Sequence, residues 1–227
     1  MEKLTFHEAG RECIAYKSEH AEMLMLQPVD EHDREELDLE VETIQSLSDK
    51  PFQLVAFEVN DWQTDLTPWA APPAFGKTPF GDGAEATLSF ITDHLLPALQ
   101  ALGLADPATT RYCLGGYSLA GLFALWAGYR SARFDGIVAA SPSVWYDNWT
   151  DYAATHHPVV SSIYLSLGDK EEKARNPRMA RVGDCIRKQH ELLVSQGIHT
   201  MLEWNPGNHF KDAGLRMAKG FAWLLNR

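Results

Sequence analysis

Hydrophobic and polar residues alternate along the chain with two different periods. Short apolar runs bounded by turn residues are typical of buried strands, and apolar residues three or four positions apart are typical of helices. The first two runs, CIAYKS (13–18) and EMLMLQPV (22–29), are broken by the polar segment SEHA (18–21). They predict an antiparallel hairpin between Glu12 and Val29.

Helices and strands alternate from residue 35 onward. Predicted helices cover 35–47, 84–103, 119–130, 174–197 and 211–226, and predicted strands begin near residues 53, 111, 136, 161 and 199. This order predicts an α/β fold with a mainly parallel central sheet, an antiparallel N-terminal hairpin and helices on both faces. A length of 227 residues is typical of one such domain, so we expect residues 1–227 to form a single domain.

One long segment, residues 60–83, interrupts the alternation. Its sequence, NDWQTDLTPWAAPPAFGKTPFGDG, is rich in proline, glycine and aromatic residues. Loops of this length in compact domains are usually functional, so we expect a lid or active-site loop. The GKT at 76–78 does not predict a phosphate loop, because Ala71 stands where that motif requires glycine.

Composition and charge narrow the class of partner. The formal net charge of −11 argues against nucleic acid and anionic membranes, which attract clustered lysine and arginine. No apolar run approaches the length of about 18 residues that spans a bilayer, and the N-terminus MEKLTFHEAGREC lacks the apolar core of a signal peptide. We therefore expect a cytoplasmic protein that acts on a small molecule.

The cysteines do not indicate a metal or redox site. Cys13, Cys113 and Cys185 lie far apart, and there is neither an HExxH motif nor a cysteine-histidine cluster. They are predicted to be buried thiols, and no metal or cofactor is expected.

The segment GGYSLAG (115–121) carries the candidate nucleophile, Ser118. A nucleophilic serine needs a tight turn between a strand and a helix, with small residues two positions before and after it, here Gly116 and Ala120. The helix that follows is almost entirely apolar, as expected for one packed centrally on the sheet. Its N-terminal N–H groups would favour developing negative charge. This context distinguishes Ser118 from a serine in an ordinary glycine-rich loop.

A serine hydroxyl needs a base and a group that orients the base. His209, in NPGNHF after the last predicted strand, fits the chain order of serine, acid and histidine. The acid is expected in the loop after the preceding strand. There GDKEE offers Asp169, Glu171 and Glu172, and spacing does not separate them.

Two backbone N–H groups would have to bind the negative oxygen that forms during attack. One follows the nucleophile, at Leu119, and the other belongs to the loop after strand 53–59. Asn60, Asp61 and Trp62 occupy that position.

The segments GGYSLAGLFALW, SPSVWY, SLGDKEE and EWNPGNHF, in this order, resemble the putative esterase family of α/β-hydrolases. This group includes esterase D, enterochelin esterases, feruloyl esterases and mycolyltransferases. The resemblance covers most of the chain from about residue 50. It implies that Ser118 is the nucleophile, His209 the base and Glu171 the acid, and that Trp62 supplies the second oxyanion N–H. Ala120 departs from the family, which usually has glycine there.

We therefore predict a serine esterase that acts through an acyl-enzyme. Aromatic residues of the loops would contact an aromatic or apolar substrate group or pack the lid: Trp62, Trp69, Phe75, Phe80, Trp145, Tyr146 and Trp149. Trp69, Trp145 and Tyr146 are the predicted substrate contacts. Two alternatives remain at this level, a catalytically silent binding protein of the same fold and an acyltransferase that uses an alcohol as acceptor.

Overall fold

A mixed eight-stranded sheet forms the centre of the protein in the computed structural model, which describes residues 1–74 and 76–227. Its strands are β1 (Glu2–Glu8), β2 (Arg11–Lys17), β3 (Met23–Val29), β4 (Gln53–Glu58), β5 (Arg111–Tyr117), β6 (Gly136–Ala140), β7 (Ser162–Gly168) and β8 (His199–Asn205). The spatial order is β1-β2-β4-β3-β5-β6-β7-β8. Strands β3 to β8 are mutually parallel, and β1 and β2 add an antiparallel edge.

The N-terminal hairpin is present, but its strands differ from the predicted pair. β1 pairs with β2 through a tight turn at Ala9 and Gly10, both with positive φ. The predicted partners β2 and β3 are not neighbours, because β4 lies between them and pairs with both. The apolar pattern identified the strands correctly, but it carries no information about which strand inserts between them.

Helices cover both faces of the sheet, as predicted. They are α1 (Glu31–Leu47), α2 (Trp62–Asp65), α3 (Ala84–Ser89), α4 (Leu96–Ala101), α5 (Leu119–Arg130), α6 (Trp149–Thr155), α7 (Val182–Ser195) and α8 (Ala213–Leu225). Helices α1 and α8 pack together over one face, and α3 to α7 bury their apolar residues against the other. The α/β class, the mainly parallel sheet and the helices on both faces are confirmed.

Individual helices differ from their predicted bounds for local reasons. α1 begins at Glu31 rather than residue 35, because Asp30 caps it by accepting a hydrogen bond from Asp33 N at 2.8 Å. The predicted helix 84–103 is observed as α3 and α4 joined by a π-helical turn, Phe90–Leu95, which ends two residues before Pro97. Such a turn accommodates a proline that has no N–H to donate. The short helix α6 was not predicted.

The three cysteines are buried free thiols, as predicted. Burial raises the pKa of both Cys13 and Cys113 to about 12, so their thiolates are not populated at neutral pH. None of the helices formed by residues 1–74 and 76–227 combines the length and apolar character needed to cross a bilayer.

Four segments meet at the carboxyl edge of the parallel strands. The loop after β4, the turn after β5, and the segments after β7 and β8 all leave the sheet at this edge. The order in which the chain adds strands to the sheet reverses at β3, since β4 lies on one side of it and β5 on the other. Open α/β sheets bind ligands at such a reversal, so the fold places a candidate site here.

Candidate active site

Ser118 occupies the sharp turn between β5 and α5. Its backbone has φ 58° and ψ −118°, a combination that residues other than glycine rarely adopt. The turn is tight enough that a Cβ at Gly116 would lie 2.2 Å from the carbonyl oxygen of Ala120. Glycine at 116 therefore leaves room for alanine at 120, where the family usually has glycine.

His209 and Glu171 form a hydrogen-bonded chain that ends at Ser118. Nε2 of His209 lies 3.0 Å from the Ser118 hydroxyl, and Nδ1 lies 2.7 Å from Oε2 of Glu171. The three groups come from the turn after β5, the segment after β7 and the segment after β8. Strands β7 and β8 pair in register up to Gly168 and Asn205, which brings the acid and histidine loops side by side. The structure thus brings together the three residues proposed from sequence.

The other two carboxylates of the loop have different contacts. Asp169 accepts a hydrogen bond from the N–H of Gly207 at 2.8 Å and so ties the acid loop to the histidine loop. Glu172 forms an ion pair with Arg187 at 2.8 Å on the surface. Among the three candidates, Glu171 alone contacts His209 within the described residues.

Glu171 is a buried carboxylate with donors on both oxygens. Oε1 accepts hydrogen bonds from the Ser141 hydroxyl at 2.7 Å, from Gly168 N at 2.8 Å and from Arg216 Nη1 at 2.8 Å. Burial alone would raise the pKa of Glu171, but the hydrogen bonds and the charge of His209 outweigh it and hold that pKa below its usual value. The carboxylate is therefore ionised at neutral pH.

Leu119 and Trp62 each begin a helix beside Ser118. Leu119 is the first residue of α5 and Trp62 the first of α2, so neither N–H has an acceptor within its own helix. Both residues line the cleft that contains the Ser118 hydroxyl. No hydrogen bond from either N–H to residues 1–74 or 76–227 is found. Each of the two residues thus lies at the cleft with a backbone N–H that has no acceptor among the described residues.

The cleft has a volume of about 390 Å³. Its walls, apart from the residues of the hydrogen-bonded chain, are mostly apolar: Trp62, Leu119, Trp145, Ala174, Met179, Val182 and Phe210. Phe210, next to His209, is 89% exposed at the mouth. A cleft of this size and lining suits part of a small apolar molecule.

Of the three predicted substrate contacts, only Trp145 lines this cleft. Tyr146 is buried and donates its hydroxyl hydrogen to the carbonyl oxygen of Trp69 at 2.5 Å. The indole N–H of Trp69 donates to Asp147 O at 2.8 Å. These two side chains pack the 60–83 segment onto the Trp145 loop and do not line this cleft. Phe75, named with the aromatic group, lies outside the described residues.

Three residues of this site were missed in the sequence. Arg216, from α8, Tyr117, from β5, and Ser141, after β6, surround the far side of Glu171 and the histidine loop. Tyr117 donates its hydroxyl hydrogen to His209 O at 2.8 Å. Ser141 has φ 45° and follows a buried strand, and a serine in SPS after a strand is the signal that could have identified it.

Known proteins with similar sequences are esterases. The chain is 39% identical over 118 residues to the siderophore triacetylfusarinine C esterase of Aspergillus fumigatus, which spans 48% of this chain and 39% of the relative. It is 34% identical over 190 residues to the siderophore enterobactin esterase of Emericella nidulans, and this alignment covers 70% of this chain and 62% of the relative. The matched region is thus less than two thirds of the length of either relative.

The fold is shared with a solved structure of the same kind. Siderophore hydrolase EstA from Aspergillus nidulans superposes with a TM-score of 0.73 at 19% identity, covering 99% of this chain and 93% of that one. The family model described as "Putative esterase" matches residues 42–212, well over half of the chain and all three members of the hydrogen-bonded chain. The chain therefore belongs to the putative esterase family and has its α/β-hydrolase fold.

Proposed function

We propose that the protein hydrolyses a carboxylic ester through an acyl-enzyme on Ser118. The observation that carries the proposal is the continuous series of hydrogen bonds from Glu171 through His209 to the Ser118 hydroxyl, at 2.7 Å and 3.0 Å. A serine hydroxyl is a weak nucleophile until a base takes its proton, and this geometry provides the base and its orienting group.

In the first half of the reaction, Ser118 Oγ attacks the ester carbonyl as Nε2 of His209 takes its proton. The ionised Glu171 accepts the Nδ1 hydrogen of His209, which keeps Nε2 unprotonated before attack and stabilises the imidazolium afterwards. The N–H groups of Leu119 and Trp62 bind the oxygen that becomes negative. The imidazolium then protonates the leaving alkoxide, and the alcohol departs.

In the second half, water replaces the alcohol. The oxygen of the water attacks the acyl carbon as His209 takes a proton from that water. His209 then gives the proton to Ser118 Oγ as the carboxylic acid leaves. Overall, one ester and one water give one alcohol and one carboxylic acid, with no cofactor.

The lining of the cleft supports an ester with an apolar acyl or alcohol group. Trp62, Trp145 and Met179 provide apolar surface beside the nucleophile, and Phe210 extends it to the mouth. The two curated relatives are named as siderophore esterases, so esters within iron chelators form one class of candidate substrate. Simple aryl and alkyl esters form the other.

The test is intact mass after reaction with a fluorophosphonate probe, which adds to activated serines. Wild type should gain one adduct, Ser118→Ala none, and His209→Ala should react at a strongly reduced rate. Ser131→Ala, at the other end of α5 from Ser118, is the matched control and should react as wild type does. An adduct that persists in Ser118→Ala would overturn the proposal.

A catalytically silent binding protein of this fold predicts that folded wild type gains no adduct. If wild type reacts, product analysis with a 4-nitrophenyl ester separates water from alcohol as the acceptor. We expect the free acid to form at the same rate with and without added alcohol. A transesterified product that dominates in dilute alcohol would assign acyl transfer instead.

A further inference from the structure

The side chain of Arg216 is buried directly behind Glu171. It is only 1% exposed. The two hydrogens of its Nη1 are shared among three acceptors, Glu171 Oε1 at 2.8 Å, the Ser141 hydroxyl at 2.9 Å and the Tyr117 hydroxyl at 3.0 Å. Nη2 donates to the carbonyl oxygens of Asn208 at 2.9 Å and Pro206 at 3.4 Å. A single guanidinium thus contacts the acid and the loop that carries His209.

We propose that Arg216 is a positioning residue for the ester hydrolysis proposed above. It holds the Glu171 carboxylate and the 206–209 loop in fixed relative positions, and it supplies the positive charge that balances Glu171. This inference rests on the proposed function, since it concerns how the acid and the base are held together.

The positioning role follows from the geometry of the guanidinium. Its planar group presents several N–H donors in a fixed arrangement, so Nη1 can bind a carboxylate oxygen while Nη2 binds loop carbonyls. Tyr117 completes the connection, because its hydroxyl accepts from Arg216 and donates to His209 O at 2.8 Å. Among the described residues, Glu171 Oε2 is hydrogen-bonded to His209 alone. A lysine could supply the charge but not the span from carboxylate to carbonyls.

The packing around Gly168 leaves no room for a larger residue. A Cβ on Gly168 would lie 2.5 Å from Gly207 O and 2.9 Å from both Arg216 Nη2 and Glu171 Oε1. Glycine at the end of β7 therefore allows the guanidinium to reach both loops.

The charge role depends on which neighbours titrate. Facing Arg216 and Glu171 are His209 from the segment after β8, Tyr117 from β5 and Tyr164 from β7. Burial raises the pKa of Tyr117 to about 12 and also raises that of Tyr164, so both stay neutral near pH 7. Asp169 and Lys211, on the same two loops, are exposed and screened by water. Near pH 7 the charge of Arg216 is therefore balanced by the ionised Glu171.

Removal of the positive charge has a defined effect on this pair. Glu171 Oε2 lies 2.7 Å from Nδ1 of His209. Without the Arg216 charge the pKa of Glu171 would rise, because a nearby positive charge favours the ionised carboxylate. A protonated Glu171 cannot stabilise the imidazolium that forms when His209 takes the proton of Ser118, so activity would be lost at a higher pH than in the wild type.

The experiment measures kcat/KM for a neutral 4-nitrophenyl ester from pH 5 to pH 9 in wild type, Arg216→Met, Arg216→Lys and Lys219→Met. Lys219 lies one turn along α8, bound to Glu203 and Asn205, and is the matched control. Arg216→Met should lower the plateau roughly 10- to 100-fold, part of what a general base contributes, and move the acid limb to higher pH. Arg216→Lys should lower the plateau but leave the acid limb in place. Lys219→Met should change neither.

Two results would overturn the inference. One is a folded Arg216→Met protein with a reduced plateau and an unmoved acid limb, which would show only a structural contribution. The other is an Arg216→Lys protein with the full wild-type plateau, and this arm decides the question if Arg216→Met does not fold. Fluorophosphonate labelling that persists in Ser118→Ala would instead reject the proposed function itself, so the two failures are distinguishable.

Discussion

The two oxygens of the Glu171 carboxylate have separate partners. Oε1 is occupied by Ser141, Gly168 and Arg216, and Oε2 binds the imidazole of His209. A carboxylate held in this way cannot rotate without losing several hydrogen bonds at once, and a buried group left unpaired is costly. The side chain is therefore oriented before any substrate arrives.

Replacement of Glu171 by glutamine tests this orientation with little change in size. Three donors surround Oε1, so the amide oxygen would take that position and the amide NH2 would face His209. The NH2 would donate to Nδ1 and favour the tautomer with its hydrogen on Nε2, which cannot accept the proton of Ser118. We expect kcat/KM for a neutral ester to fall by about 100-fold or more, as for a displaced general base.

Glu172→Gln is the matched control for that substitution. Glu172 is in the same 3₁₀ turn but pairs with Arg187 at the surface, so its loss should leave kcat/KM within about twofold of wild type, as is usual for surface ion pairs. Equal losses in the two variants would argue against Glu171 as the acid.

Individual residues of the site differ in how well the sequence predicted them. Ser118 and His209 each follow a strand and stand two positions after a glycine, Gly116 and Gly207, so position along the chain was sufficient to name them as candidates. Arg216 lies in LRMAK on an amphipathic helix, where a cation normally faces water. Its burial depends on Glu171, 45 residues away. Trp69 and Tyr146 were assigned from aromatic type alone, which does not distinguish packing from substrate contact.

At the scale of elements, the segment 60–83 is fastened to the loop that carries Trp145. Arg178 donates to Pro72 O at 2.9 Å, pairs with Asp147 at 2.8 Å and lies over the ring of Trp145 at 5.6 Å. Asn176 donates to the carbonyl oxygen of Ala74. The 60–83 segment, which supplies Trp62 to the cleft, is thus held through the carbonyl oxygens of Pro72 and Ala74.

Arg178→Met should therefore affect substrate binding more than chemistry. We expect KM for a bulky apolar ester to rise several-fold with a smaller change in kcat, because Trp145 and the 60–83 segment lose a shared anchor while Ser118, His209 and Glu171 keep theirs. Steady-state kinetics with a short and a long acyl ester would measure the difference.

Arg187→Met is the matched control for Arg178→Met. Arg187 also combines ion pairs, to Glu172 and Asp184, with a position over an aromatic ring, that of Trp204 at 4.8 Å. It does not contact the 60–83 segment in the described part of the chain. A KM change of the same size in both variants would contradict the proposed role of Arg178.

Elements with a strong local pattern were predicted well. α5 matches its predicted bounds of 119–130, and β4 to β8 lie where apolar runs indicated. The predicted N-terminal hairpin is present, but its two strands were identified wrongly because strand pairing is a long-range property. β1, on the sheet edge, is mostly exposed and polar, whereas β2 and β3 are apolar but separated by β4. The apolar pattern indicates which strands are buried, but it does not indicate which strands are neighbours in the sheet.

At the scale of the whole molecule, a strongly acidic chain surrounds an apolar cleft. The net charge is −11, and the buried charge of Glu171 is paired with Arg216 at 2.8 Å. A field of this sign lowers the local concentration of anions and does not act on neutral molecules. The molecule as a whole should therefore select neutral esters, whatever the shape of the acyl group.

Two 4-nitrophenyl esters of similar length, one with a methyl terminus and one with a terminal carboxylate, test this selection. We expect a lower kcat/KM for the anionic ester at low salt. The difference should narrow as salt rises, because the screening length falls from roughly 30 Å at 0.01 M to about 3 Å at 1 M. The neutral ester, measured in the same series, controls for effects of salt on the protein. A preference for the anionic ester, or a difference that does not depend on salt, would show that local contacts in the cleft outweigh the charge of the whole chain.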